Sequence, residues 1–368
     1  IKECDWSSDV CSSDLTLAST LTAFAGNVTW LLVFRAMQGL GAGMFITTGM
    51  AILTSIFPPH RRGRAIGIYV AAVYVGLSVG PFVGGILTQQ FGWRSIFLIM
   101  LPLGAVSITV TLTFLKGEWA DPREQRLDVL GSVIYAAAIL ALIYGASILP
   151  SLPGGILVLT GVGALAFFFH QQRQSAHPVF DVSLFRENRV FAFSSLAALL
   201  NYSATFAVTF LLSLYLQYLK GMPPQTAGTI LMAQPVVMAL FSPIAGRLSD
   251  RVEPRLLASA GMAITVAGML VFTQLHAATP TPAIAATLLL LGFGFALFSS
   301  PNANAIMTSV ERRYYGLASS TMGTMRLVGQ MLSLAVATML LALFVGRVQI
   351  TPAHFPALLV SVRTTFGI

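Results

Sequence analysis

The chain has 368 residues, 56% of them hydrophobic and only 9% charged, with a mean hydropathy of +0.80 and a formal net charge of +8. A soluble domain carries about 25% charged residues, so this composition excludes a water-soluble fold and points to a multispanning membrane protein. Nor does the positive charge mark a nucleic-acid binder, because the Lys and Arg residues form no stripe or tail and sit in short clusters between apolar runs.

Taken in chain order, the first stretch is IKECDWSSDVCSSDL, acidic and Ser-rich, holding both cysteines of the chain, Cys4 and Cys11. It has no apolar core of a signal peptide, and two cysteines give neither a disulfide framework nor a metal spacing. The run at 15–27 is half a span, ended by Gly26 and Asn27. Full spans, at about 20 apolar residues each, are then expected near 29–50, 65–88, 94–115, 129–149, 154–170, 190–217, 226–246, 256–274, 283–302 and 317–345. The last stretch, VGRVQITPAHFPALLVSVRTTFGI, reads as a loop leading towards a further helix.

Charge orients these spans. Alternate loops hold Arg61, Arg62 and Arg64; Lys116, Arg123 and Arg126; Arg173, Arg186 and Arg189; Arg247, Arg251 and Arg255; and Arg312 with Arg313. The intervening loops hold only Arg94 and Lys220 before the C-terminal segment. Fourteen basic residues against two place the first set in the cytoplasm.

An internal repeat follows. GLGAGMFITTGMAILTSI (39–56) matches GFGFALFSSPNANAIMTSV (292–310), with AILTSI answering AIMTSV, and each copy is followed by a cytoplasmic Arg-Arg pair. Both copies enter the membrane from outside, so the repeat is parallel, the arrangement of the two halves of major facilitator transporters. The matched spans stand eight apart, which gives a 6+2+6 helix plan with two extra spans, 129–149 and 154–170, between the halves.

Several stretches carry a family resemblance. LLVFRAMQGLGAGMF (31–45) resembles the R-x-x-Q-G-x-G-A pattern of the superfamily's fourth helix, and GLSVGPFVGG (76–85) resembles the antiporter motif of its fifth. FGWRSIFLIMLPLG (91–104), LYLQYLKGMPPQTAGTILMAQP (214–235) and GRLSDRVEPR (246–255) resemble three more of its segments, in the same order. Together these resemble the fourteen-helix drug:proton antiporters of the major facilitator superfamily across most of Leu15 to Arg363. The resemblance implies an all-α multispanning fold truncated at both ends, without helices one, two and fourteen. Its parts would be an incomplete N-terminal half at 15–115, two linker helices at 116–189 and an incomplete C-terminal half at 190–368. In that alignment residues 1–14 stand where a basic loop and a hydrophobic helix start belong, so they are expected to be a non-native leader.

Function follows as an expectation: proton-coupled multidrug efflux by alternating access, in the bacterial inner membrane, without a catalytic site, cofactor or metal. The proton gradient would be the energy source, since the sequence carries no phosphate-binding Gly-Lys loop. The expected partners are the lipid bilayer and a small lipophilic, cationic substrate, with the chain a monomer. Export of an anionic or zwitterionic metabolite is the second reading, and a transport-inactive membrane scaffold or receptor homologue is the third.

Residues can be placed within that scheme. Arg35 lies roughly 12 Å below the outer boundary and Arg326 roughly 15 Å into its span, by helical rise. A charge at such depth is costly and usually functional. By resemblance Arg35, with Gln38 and Gly39, tunes a proton-carrying acid. All thirteen Asp and Glu residues lie in loops or in the opening stretch, so neither arginine has a counter-ion within the spans. Gly76, Gly80 and Gly84 fall on one helical face, with Pro81 and Gly85 beside them, and are expected to pack closely against a neighbour and act as a hinge. Gly246, Asp250, Arg251 and Arg255 are expected to form a cytoplasmic gate closed by Asp–Arg pairing, although Glu253 replaces the family's glycine there. Tyr69, Tyr74, Tyr202, Phe206, Phe210, Met222 and Met232 are candidates for an apolar pocket.

Overall fold

A computed structural model of the chain describes residues 5–114, 128–149, 151–173, 182–346 and 348–368; within these, the side chains of 5–12, 81, 82, 114, 182 and 183 are left aside. Lys116, Arg123 and Arg126, read above as a cytoplasmic loop, lie outside the described residues. All regular secondary structure among the described residues is helical, with no strand. They comprise α1 (Asp5–Ala23), α2 (Val28–Ile56), α3 (Pro59–Phe91), α4 (Ser95–Leu98), α5 (Met100–Phe114), α6 (Val129–Ser147), α7 (Leu152–Gln172) and α8 (Val182–Glu187). Then follow α9 (Arg189–Thr205), α10 (Ala207–Leu214), α11 (Pro224–Leu231), α12 (Ala233–Ser249), α13 (Pro254–Phe272), α14 (Thr281–Thr308), α15 (Tyr315–Phe344) and α16 (Phe355–Gly367).

Ten helical segments among the described residues are long and apolar enough to cross a membrane, and each overlies one of the ten spans read from the sequence. Their ends follow local chemistry. Asn27 accepts from the Trp30 N–H at 2.9 Å and starts α2, while Asp128, Ser151 and Asn188 cap α6, α7 and α9 in the same way. Pro59 at the first position of α3 fixes its start, and Gly92 ends it at φ 79°, a backbone conformation that favours glycine. Large apolar side chains such as Leu40, Leu103, Val106, Leu140 and Leu159 point outward, as lipid-facing residues must.

Two expectations about the chain's ends are modified. Helix α1 runs without interruption from Asp5 to Ala23, so the acidic stretch and the half-span form one helix. The C-terminal stretch, read as a loop leading towards a further helix, itself carries a helix, α16. Leu358, Val362 and Phe366 recur every four residues, are buried to 3% exposure or less, and dock α16 onto the core formed by α10, α13 and α14.

The helices pack in two groups, α1–α5 and α9–α16, which meet along two seams. The tighter seam joins α3 to α12 at the end that carries Arg61, Arg62 and Arg64. A Cβ on Gly67 would meet the Ser242 carbonyl oxygen at 2.5 Å, the Pro243 Cα at 3.0 Å and the Gly246 Cα at 3.1 Å, so the two backbones touch. Gly63 and Gly67 on one helix thus face Ser242 and Gly246 on the other, small residues four apart on each side. The second seam joins α2 to α15, where the Ser319 hydroxyl donates to the Thr47 carbonyl at 2.7 Å. Helices α6 and α7 pack mainly on each other, with Gly145, Gly154 and Gly161 at their contact.

Candidate functional site

Between the two seams lies a cavity of about 60 Å³. Its wall draws on both groups: Ile46 and Met50 from α2, Tyr69, Val73 and Tyr74 from α3, Tyr202 from α9, Phe298, Ser299 and Asn302 from α14, and Ser319, Met322 and Arg326 from α15.

Arg326 is the only charged residue among the lining residues. Its Nε–H is buried with no hydrogen-bond partner, and its Cζ lies 5.8 Å from the centroid of the Tyr202 ring. Neither Asn302 nor Asn304 satisfies it. The Asn302 amide donates to the Ser194 carbonyl at 3.0 Å, and the Asn304 amide donates to the Ser249 hydroxyl at 3.1 Å. Taking a cation out of water costs several kcal/mol, and here that cost is offset by aromatic faces only in part. Tyr74 and Tyr202 are themselves held edge-on by Phe295, with ring centroids at 6.0 and 5.3 Å.

Three of the aromatic residues singled out in the sequence, Tyr69, Tyr74 and Tyr202, therefore line the cavity. Two others do not. Phe206 sits at the break between α9 and α10, where the Ala207 N–H turns to the Ser333 hydroxyl at 3.0 Å, and its ring is exposed. Phe210, with Met222, packs against the core around Leu211 and Leu288. Met232 stands at the junction of α11 and α12, also outside the cavity.

Arg35 is on an open face of α2. Its Nη1 donates to Gln38 Oε1 at 2.7 Å, and Gln38 in turn donates to the Ser19 hydroxyl of α1 at 2.6 Å. Its Cζ stands 5.9 Å from the Phe97 ring. A Cβ on Gly39 would meet nothing within 4 Å.

The glycine stripe expected to pack closely does not do so against any described residue. A Cβ at Gly76, Gly80, Gly84 or Gly85 would meet nothing within 4 Å, because the outer half of α3 stands away from its neighbours; the Pro81 side chain lies outside the described set. The close backbone contact is made three turns earlier, by Gly63 and Gly67. In the sequence, RRGRAIG carries two glycines four apart, a signal that was present but is less specific than the longer motif.

The cytoplasmic gate also differs from expectation. Asp250 does not pair with an arginine. Its carboxylate accepts from the backbone N–H groups of Gly63 and Arg64, at 2.7 and 2.9 Å. The touching backbones at Gly63 and Gly246 bring Asp250, four residues on, against the first turns of α3, the end at which the helix dipole favours an anion. Arg255 pairs instead with Glu253 at 2.6 Å, an exposed contact, and Arg251 is exposed. A second closure, missed in the sequence, joins the halves nearby: buried Arg62 donates to the Tyr315 hydroxyl at 2.9 Å and lies 5.2 Å from its ring. No group of three or more metal-ligating side chains occurs among the described residues.

Two helix groups around one cavity, closed at the arginine-rich end, are the form of a polytopic membrane transport protein. Residues 10–334 match the Major Facilitator Superfamily, and the chain belongs to that superfamily. It is 30% identical over 314 residues to the riboflavin transporter RibZ of Clostridioides difficile (strain 630), spanning 84% of this chain and 68% of that one. It is 31% identical over 335 residues to the multidrug resistance protein Stp of Mycobacterium tuberculosis (strain ATCC 25618 / H37Rv), spanning 89% of this chain and 62% of that one. The chain thus spans about two thirds of the length of these relatives. Among solved structures, the human organic anion transporter MFSD10 shares the fold, with a TM-score of 0.66 at 16% identity over 97% of this chain and 74% of that one.

Proposed function

We propose that this chain forms the core of a secondary active transporter that exports small lipophilic aromatic molecules across a bacterial inner membrane by alternating access, driven by the proton gradient. The observation that carries this reading is the cavity itself. It is walled by both helix groups, and the contacts that shut its cytoplasmic side are ones that can part: two facing pairs of small residues, one carboxylate on a helix start and one Arg–Tyr contact. Rocking the groups apart along α3 and α12 would open the cavity to the cytoplasm without unfolding either group. The names of the relatives, a riboflavin transporter and a multidrug resistance protein, support a small-molecule cargo, and the drug:proton antiporter resemblance supports the proton as coupling ion.

The test is flux in proteoliposomes holding the 368-residue chain under an imposed pH gradient, with xanthene dyes as cargo. Dye should accumulate against its own gradient, and nigericin should abolish that accumulation. Flux that survives collapse of the gradient removes the proton coupling. Flux indistinguishable from that of empty liposomes removes transport and leaves the membrane scaffold.

A further inference from the structure

The geometry points to an anion-binding subsite: we infer that Arg326, framed by Tyr69, Tyr74 and Tyr202, receives the carboxylate or other acidic group of an aromatic molecule bound in the central cavity. This inference rests on the reading of the cavity as the substrate site.

Charge comes first. The lining residues include one cation and no Asp or Glu, and the Arg326 Nε–H is buried without a hydrogen-bond partner. The ion pairs formed among the described residues, Arg255–Glu253 and Arg313–Glu311, lie at exposed positions and involve no residue that lines the cavity. A fixed, unpaired guanidinium in a poorly hydrated wall repels a lipophilic cation and attracts an anion, and a planar guanidinium matches a carboxylate with two parallel N–H···O bonds.

The tyrosines supply the second half. The Tyr202 ring already lies within cation–π distance of the guanidinium, and Tyr74 and Tyr202 are locked edge-on against Phe295. Rings held in this way offer a rigid surface for a second aromatic system, with little entropy left to lose on binding. Tyr, unlike Phe, also brings a hydroxyl that can donate to an anion. Met50 and Met322 complete the wall with adaptable apolar surface. The combination selects a flat molecule with one acidic edge over a greasy cation.

The decisive measurement is equilibrium binding to the purified chain in detergent, by fluorescence anisotropy, of two dyes on one xanthene skeleton: fluorescein, which carries a carboxylate, and its cationic methyl-ester rhodamine analogue. Fluorescein should bind about tenfold or more tightly than the cation, the scale of one charge-assisted hydrogen-bonded contact. Arg326→Gln should weaken fluorescein by about the same factor and leave the cation within about twofold. Benzoate should displace fluorescein where equal chloride does not. Wild-type preference for the cation, equal loss of both dyes in Arg326→Gln, absence of saturable fluorescein binding, or displacement by chloride would each overturn the inference. Should Arg326→Gln fail to fold by size-exclusion, Arg326→Lys keeps the charge but loses the fork and should weaken fluorescein alone, by severalfold. Binding is read without a gradient, so a chain that binds fluorescein through Arg326 yet transports nothing would refute the transport reading and not this one.

Discussion

Helices α2 and α14 carry the two copies of the internal repeat, and they are used in opposite ways. They have nearly the same length, 29 and 28 residues, and both run at their ends through the matched AILT and AIMT stretches. Yet 61% of the spanning window of α14 is buried, against 17% of that of α2. On α14 the polar residues tie helices together: Asn302 to Ser194 of α9, and Asn304 to Ser249 of α12. On α2 the polar chain from Arg35 through Gln38 to Ser19 starts on an open face and ties only to the neighbouring α1. Apolarity therefore does not decide which helix lies at the centre. What distinguishes α14 is the run SSPNAN, small and amide-bearing, which lets neighbours approach and gives them something to bond.

The sharpest test of this contrast lies on α3, which touches both environments. At Gly67 any added side chain meets backbone atoms of Ser242, Pro243 and Gly246, which cannot move aside. At Gly80 the space around a Cβ is empty to 4 Å. Gly67→Leu is expected to cost about 3 kcal/mol through overpacking, and to part the α3–α12 seam. Gly80→Leu is expected to stay within about 0.5 kcal/mol, as open-site changes do. Thermal unfolding of both variants in one detergent decides it; equal losses would show that the outer half of α3 is packed as tightly as its cytoplasmic half.

How much of this was legible beforehand depends on range. The ten spans follow from apolar runs and charge clusters, both local signals, and each reappears as a helix. Arg326 was legible as an embedded cation without a visible partner because depth and charge are read directly along the sequence. Its three tyrosines were less so: they come from α3 and α9, and only packing shows that Tyr202 joins them while Phe206, one turn on, does not. The gate was misread for a related reason. Asp250 stands among arginines in sequence, but the atoms that reach it are backbone N–H groups 187 and 186 residues away, and a backbone donor has no letter in the sequence. The Arg62–Tyr315 contact, 253 residues apart, was invisible for want of any motif joining the two.

A smaller effect separates the polar ties of the two repeat helices. Asn304→Ala removes a buried donor to Ser249, and Gln38→Ala removes a half-buried link to Ser19. The first is expected to cost about 1 kcal/mol and the second less than about 0.5 kcal/mol, since interhelical hydrogen bonds in membranes are modest even when buried. Amide exchange at residues 249–251 should quicken in Asn304→Ala and stay unchanged in Gln38→Ala. Equal exchange in the two would erase the distinction between a tie at the centre and one at the edge.

The same distinction extends to a half-buried tie at a helix start. Asp128 caps α6 and joins it to α7, accepting from the Gly131 N–H at 2.8 Å and from the Gln172 amide at 2.7 Å. These two bonds, the backbone one first, hold its carboxyl below the usual carboxylate range. A carboxyl whose folded value is depressed binds its proton more readily in the unfolded chain. Its stabilisation is therefore fully present above the ordinary carboxylate range and is lost as pH falls through the depressed folded value. The Asn304–Ser249 tie contains no titratable group and should not respond. Exchange at Gly131 should thus rise only in strongly acid solution, while exchange around Ser249 stays level. In Asp128→Asn the acid response at Gly131 should vanish. Acid sensitivity at both sites together would mean that the edge pair α6–α7 and the core do not open separately.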